Sequence, residues 1–193
     1  VRRAVSAADV VCFSGDKLLG GGQCGILLGR KIWIDAMKKD PFSRILRVDK
    51  MTLSALEQIL RLCLDPERAR QEIPVLRMLH TSPDELRKRA QDQQKQLQER
   101  VPGEDFSLVT CRDETGGGSL PDLELEGWAV AVSCTSMSPD CLAEKLRDLD
   151  LPILGRICRD QFLLSLRTVL PGEEPQLIEE IASVLSDTRR TLP

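Results

Sequence analysis

A single lysine, set in a glycine-rich turn between two short apolar runs, constrains this chain most. Val10-Val11-Cys12-Phe13 leads into Ser14-Gly15-Asp16-Lys17-Leu18-Leu19-Gly20-Gly21-Gly22-Gln23-Cys24, and Gly25-Ile26-Leu27-Leu28-Gly29 leads out. Short aliphatic runs bounded by glycine read as two buried strands. Lysine is seldom buried without a partner, so a lysine between core strands asks for a chemical reason. A partly desolvated lysine gives up its proton readily, and its amine then condenses with an aldehyde to a Schiff base. The three glycines that follow let backbone N–H groups approach an anion such as a phosphate. Two plainer readings compete. A nucleotide phosphate loop ends in Gly-Lys-Ser/Thr, and Lys17 comes too early for that pattern. An ordinary glycine turn carrying a solvated lysine fits the same letters.

A length of 193 residues allows one large domain or two small ones. The net charge of −3 argues against this segment as the main surface for an RNA polyanion. No apolar run approaches the roughly twenty residues of a membrane-spanning helix, and no signal-peptide pattern is present. Seven cysteines occur without a C-x-x-C pair, and His80 is the sole histidine, so zinc ligation is unsupported and no metal site is expected. Cys12, Cys63 and Cys134 lie in apolar runs, where cysteine acts as a small buried hydrophobe. Reduced thiols in a cytoplasmic protein are the natural reading.

Periodicity orders the rest. Residues 30–39 mix bases with Ile32, Trp33, Ile34 and Met37 as an amphipathic helix that Asp40-Pro41 ends. Ser43 to Lys50 reads as a polar, arginine-bearing connector. Leu53, Leu56, Ile59, Leu60 and Leu64 fall at helical spacing from Thr52 onward. Asp65-Pro66 marks a break, and a helix through Ile73, Leu76 and Leu79 follows. Ser82 with Asp84 and Glu85 starts a charged, glutamine-rich helix to about Val101. Its thin stripe of Leu86, Ala90 and Leu97 suggests a solvated surface helix, or else a coiled-coil partner. Strands are predicted over 106–112 and 127–134, and a helix from Ser138 to about Leu149. A strand pair over 152–159 and 161–167 and a last helix over 173–186 complete the chain. The order β-β-α-β-β-α suggests an antiparallel sheet with helices on one face, an α+β domain beginning between Leu79 and Ser82.

Four blocks carry a resemblance. Ala8 to Gly21 contains the lysine, and Pro41-Phe42-Ser43-Arg44-Ile45-Leu46-Arg47-Val48-Asp49-Lys50-Met51-Thr52-Leu53 follows. Gly116-Gly117-Gly118-Ser119-Leu120-Pro121 and Leu166-Arg167-Thr168-Val169-Leu170-Pro171 are the others. In this order the blocks closely resemble the bacterial L-seryl-tRNA(Sec) selenium transferases, or selenocysteine synthases. Gly22 departs from the family's usual proline, and Cys24 stands where a small residue such as alanine is usual. The resemblance implies an α/β fold. Residues 1–80 would be the C-terminal portion of the large pyridoxal 5′-phosphate domain of fold type I (aspartate-aminotransferase-like), and residues 81–193 a small α+β C-terminal domain. In that family the phosphate cradle, the ring-stacking group and the carboxylate for the pyridine nitrogen lie upstream of the lysine. The chain therefore looks like the C-terminal part of a longer cytoplasmic enzyme, inactive by itself, with active sites built across the interface of a homo-oligomer.

The same resemblance implies roles. Lys17 would carry pyridoxal 5′-phosphate and remove the Cα proton of L-seryl-tRNA(Sec). Loss of the β-hydroxyl would leave a dehydroalanyl intermediate, to which selenium from selenophosphate adds to give L-selenocysteinyl-tRNA(Sec). Ser14 would reach the cofactor phosphate, or bond its own backbone as a turn serine. Asp16 would orient substrate or polarise the selenium donor, or be a turn aspartate. Arg44 and Arg47, which share a face if their segment is helical, would clamp the selenophosphate anion, or be ordinary surface arginines. Arg156 and Arg167 are expected to be structural or weak anion contacts. Two other functions compete: a pyridoxal-phosphate lyase or aldolase gripping a free amino acid's carboxylate with Arg167, and a non-enzymatic piece serving packing or oligomer contacts.

Overall fold

The computed structural model describes residues 1–116, 119, 120 and 122–190. They group into two compact units, Val1–His80 with Gly116–Ser119, and Thr81–Thr115 with Leu120–Pro193.

In the first unit a short helix α1 (Arg2–Ala7) precedes strands β1 (Val10–Ser14) and β2 (Gly25–Gly29). The strands pair antiparallel with Cys12 opposite Leu27 and Ser14 opposite Gly25. The expectation of two buried strands is corrected here. The pair is a two-stranded ribbon whose Leu27 and Leu28 are exposed, because among the described residues no third strand extends it and no element covers both faces. Helix α2 (Lys31–Lys39) follows. The connector expected after it contains one helical turn, α3 (Phe42–Ile45). Just before that turn Asp40 accepts from the Phe42 N–H at 2.9 Å, and the Ser43 hydroxyl donates to the Met37 carbonyl.

Helix α4 (Lys50–Leu62) is started by Asp49, whose carboxylate accepts from the N–H groups of Met51 (2.7 Å) and Thr52 (3.0 Å). Asp65 caps α5 (Pro66–Glu72) in the same way, with Pro66 in the first turn. The helix expected through Ile73 is interrupted there. Pro74 pushes the residue before it out of helical geometry, and Ile73 takes ψ 114 before α6 (Pro74–His80) begins. The break turns Ile73 fully inward.

The second unit is a four-stranded antiparallel sheet, β3 (Asp105–Glu114), β4 (Glu124–Ser133), β5 (Arg156–Cys158) and β6 (Gln161–Ser165), in the order β3-β4-β6-β5. Helices α7 (Pro83–Arg100), α8 (Pro139–Arg147) and α9 (Glu174–Arg190) complete it. Strand β4 shows the period of two: Val130 and Val132 join the main core, while Ala129 and Ala131 meet Leu163 in a second, smaller cluster. Ser82 and Ser138 cap α7 and α8.

Helix α7 is not a solvated surface helix. Leu86, Ala90 and Leu97 are fully buried in the main core with Phe106, Phe162, Ile178 and Leu185. Four residues at helical spacing suffice to bury one face, and the charged and polar residues take the other. Arg89 ties α7 to α9, donating to Glu174 at 2.6 Å and to the Val169 carbonyl at 2.9 Å. The fourth buried position is Gln93, whose amide has no hydrogen-bond partner among the described residues. A buried, unpaired amide costs about 1–3 kcal/mol. Gln93→Leu is therefore expected to raise stability by about that amount, and Leu97→Ala to lower it by about 2–5 kcal/mol, in urea unfolding followed by far-UV circular dichroism. A destabilised Gln93→Leu variant would show that the amide has a role in the core.

Candidate functional site

The turn that carries Lys17 is held by its backbone. The Gly15 N–H donates to the Cys24 carbonyl at 2.9 Å, the Gly21 N–H to the Gly15 carbonyl at 2.8 Å, and the Gly20 N–H to the Lys17 carbonyl at 3.0 Å. Of the triple glycine expected to approach an anion, the N–H groups of Gly20 and Gly21 are spent inside the turn. Its glycines serve close approach instead. Gly20 has φ +72, and a Cβ there would fall 2.7 Å from Ile73 Cγ2 and 3.0 Å from Val75 Cγ1. A Cβ on Gly15 would stand 2.5 Å from the Cys24 sulfur. Gly22, the departure from the family's proline, is under no such demand, because a Cβ there would meet Thr52 Cγ2 at an ordinary 3.4 Å. Sequence reasoning missed this wall of Thr52, Leu56, Ile73 and Val75. Only the Pro74 break hints at it.

Lys17 is exposed, not desolvated between core strands, and its amine has no hydrogen-bond partner among the described residues. The Ser14 hydroxyl donates to the Asp16 carboxylate, an arrangement the sequence did not suggest. That bond, the Asp16 backbone N–H and the charge of Lys17 together hold the Asp16 carboxyl below its ordinary range. The arrangement can keep a carboxylate ionised beside an unhindered primary amine.

Arg44 lies on α3 and Arg47 just past it, since the helix ends at Ile45. Both are exposed, and neither is ion-paired among the described residues. At one end of the segment Asp40 accepts from the Phe42 N–H, and at the other Asp49 caps α4 and also accepts from the Thr52 hydroxyl at 2.7 Å.

Arg156 and Arg167 are both engaged in the second unit, Arg167 buried and Arg156 half exposed. Arg167 is 7% exposed and donates to Asp113 at 2.8 Å, to the Glu126 carbonyl at 2.6 Å and to the Thr81 carbonyl at 3.2 Å. Arg156 donates to the other Asp113 oxygen at 2.9 Å and to the Arg112 carbonyl at 2.8 Å. Asp113, which the sequence reading passed over, is the hub. Burial and then the Asp113 charge push the neighbouring Cys111 thiol up.

The molecule is thus a mixed α/β protein that presents one lysine amine and one ionised aspartate on a glycine-locked hairpin turn. The family model of SelA, L-seryl-tRNA selenium transferase, matches residues 1–170, and the chain belongs to that family. It is 44% identical over 179 residues to the L-seryl-tRNA(Sec) selenium transferase of Geobacter sulfurreducens, covering 92% of this chain and 39% of that one. The enzyme of the same name from Nitratidesulfovibrio vulgaris is 46% identical over 162 residues, covering 83% and 34%. That from Moorella thermoacetica is 43% identical over 178 residues, covering 92% and 38%. The chain therefore spans about two fifths of the length of these relatives. Among solved structures, a D-glucosaminate-6-phosphate ammonia-lyase shares the fold with a TM-score of 0.55 at 21% identity, over 94% of this chain and 46% of that one.

Two outcomes follow for the turn. Gly20→Ala is expected to cost at least about 1–2 kcal/mol from its left-handed backbone alone, whereas Gly22→Ala should shift stability by less than about 1 kcal/mol. Thermal unfolding of both variants checks the contrast, and equal losses would contradict it. Acid acts on the same unit. Asp16 and Asp49 both titrate below the ordinary 3.8 when folded. Their contribution is complete above the unfolded value and is lost as the pH falls from about 4 through the lowered folded values. Melting temperatures between pH 5 and pH 2 should therefore drop, and Asp49→Asn should flatten that drop.

Proposed function

We propose that this chain is the lysine-bearing part of a pyridoxal 5′-phosphate-dependent selenium transferase that converts L-seryl-tRNA(Sec) to L-selenocysteinyl-tRNA(Sec) with selenophosphate as donor. The observation that carries the reading is the Lys17 amine, accessible and without a hydrogen-bond partner, on a turn whose backbone is locked by Gly20 against Ile73. A primary amine of this kind fits an aldehyde cofactor. Residues 1–80 are read as the C-terminal portion of the large domain of fold type I, and residues 81–193 as its small α+β C-terminal domain, within a homo-oligomer.

Pyridoxal phosphate, when bound, supplies an electron sink for negative charge at the substrate Cα. This chain's residues do the rest of the work assigned here. Lys17 Nζ holds the cofactor and is the base that accepts the seryl Cα proton. The Asp16 carboxylate, kept ionised by the Ser14 hydroxyl, favours the ammonium that results. Ser14 meets the cofactor phosphate only if its hydroxyl turns away from Asp16. Arg44 and Arg47, with no carboxylate to neutralise them among the described residues, suit a tetrahedral dianion such as selenophosphate. The competing reading, a lyase or aldolase on a free amino acid, loses its carboxylate grip, because Arg167 is tied to Asp113 and two carbonyls.

Borohydride reduction of the chain with pyridoxal phosphate, followed by peptide mass mapping, tests the site. A phosphopyridoxyl adduct confined to Lys17 is expected, and labelling scattered over the other lysines would overturn the assignment. In the complete enzyme Lys17→Ala should reduce selenocysteinyl-tRNA formation below detection, and retained product would refute the role.

A further inference from the structure

We infer that the Ser14 hydroxyl is a positioning group for Lys17: by donating to Asp16 it holds that carboxylate off the lysine amine and keeps the amine free of an ion pair. The inference rests on the reading of Lys17 as the amine that meets an aldehyde, and it gives Ser14 a task separate from the cofactor phosphate. A lysine attacks an aldehyde only as the neutral amine. A carboxylate in direct contact with Nζ favours the ammonium and so slows the attack. Asp16 is the chain neighbour of Lys17 and the nearest carboxylate in the sequence. Yet Asp16 and Lys17 form no ion pair among the described residues, and the Asp16 carboxylate accepts from Ser14 instead.

The same unit shows the alternative. Lys31 pairs directly with Asp35, one turn on in α2. At the Lys17 turn a hydroxyl on a fixed backbone competes for the carboxylate. Ser14 ends β1 in register with Gly25 of β2, so the strand ladder places it. The next residue, Gly15, donates its N–H to the Cys24 carbonyl at 2.9 Å. A Cβ on Gly15 would fall 2.5 Å from the Cys24 sulfur, so the chain between the hydroxyl and Asp16 has little room to shift. Of the influences that hold the Asp16 carboxyl below its ordinary range, the Ser14 bond is the largest and the charge of Lys17 the smallest. Lys17 is also the one charged side chain that acts on Asp16 among the described residues. Ser14 and the Asp16 N–H thus occupy the carboxylate at short range, and its charge reaches the amine only from a distance.

Competitive acetylation of the chain with acetic anhydride between about pH 7 and pH 10, read lysine by lysine by peptide mass mapping, tests the inference without any cofactor. In the wild type Lys17 should react faster than the paired Lys31. Ser14→Ala releases Asp16 to pair with Lys17 and should slow Lys17 about two- to fivefold, moving its profile to higher pH while Lys31 and Lys38 keep theirs. Ser14→Thr retains the hydroxyl and should label as the wild type does. Ser14→Ala/Asp16→Asn should recover the wild-type rate, because no carboxylate remains to pair. An unmoved Lys17 profile in Ser14→Ala, or a double variant as slow as Ser14→Ala, would overturn the inference. Equal shifts at all three lysines would assign Ser14 to folding alone and overturn it as well. Scattered labelling by pyridoxal phosphate counts against the cofactor reading, whereas an unmoved Lys17 profile here counts against the task of Ser14 alone.

Discussion

The turn that carries Lys17 depends on one steric fact, the closeness of its backbone to Ile73. Only a residue without Cβ fits where Gly20 passes Ile73 and Val75 in the left-handed region. Ile73 is there because Pro74 ends α5 and forces the chain outward from helical geometry. A proline in one helix boundary and a glycine in a distant turn therefore act as one device. The N–H groups of Gly20 and Gly21, which look suited to an anion, are consumed in keeping the turn's shape. Rigidity of the backbone is what lets an exposed side chain such as Lys17 be presented in one place.

The two units hold themselves together differently. In the second, an extensive core joins α7, α8 and α9 to one face of the sheet, and Asp113 gathers two guanidinium groups and the Ser165 hydroxyl on the strands. A buried ion pair of this kind serves geometry more than net stability. In the first unit most charged contacts are local, i,i+4 pairs such as Arg61–Glu57 and Arg68–Glu72 and carboxylate caps at Asp49 and Asp65, with Arg30–Asp9 a longer-range exception. Much of its apolar surface, including Ile32, Phe42, Leu46 and Met51, faces outward. Scattered apolar exposure is ordinary, but contiguous stretches of it mark contact surfaces.

Engagement separates the arginines into two kinds. Arg156 and Arg167 have their donors directed at Asp113 and at carbonyls, so they order strands and do not await a ligand. Arg44 and Arg47 have no ion-pair partner among the described residues and sit between the Asp40–Phe42 contact and the Asp49 cap of α4. The same contrast sets Lys17 apart from Lys31, which is paired with Asp35.

Local order was legible in the letters. Caps at Ser82 and Ser138, the Asp65-Pro66 break and the period-two runs around β3 and β4 depend on neighbouring residues alone, and so did the antiparallel pairing of the last two strands. The lysine turn, its flanking strands and the family blocks were likewise plain in the sequence. Burial was not, because it depends on residues far apart in the chain. Nothing local says that four positions of the charged helix α7 would be fully enclosed, or that the two apolar strands beside Lys17 would stay half open. Nor could letters show that Ser14 donates to Asp16, or that Asp113 occupies Arg156 and Arg167. The sequence by itself determined which residues could do chemistry and how each segment folds. Only the tertiary structure decided which of those groups are already spent on one another, since a hydrogen bond or a steric wall exists only once distant segments meet.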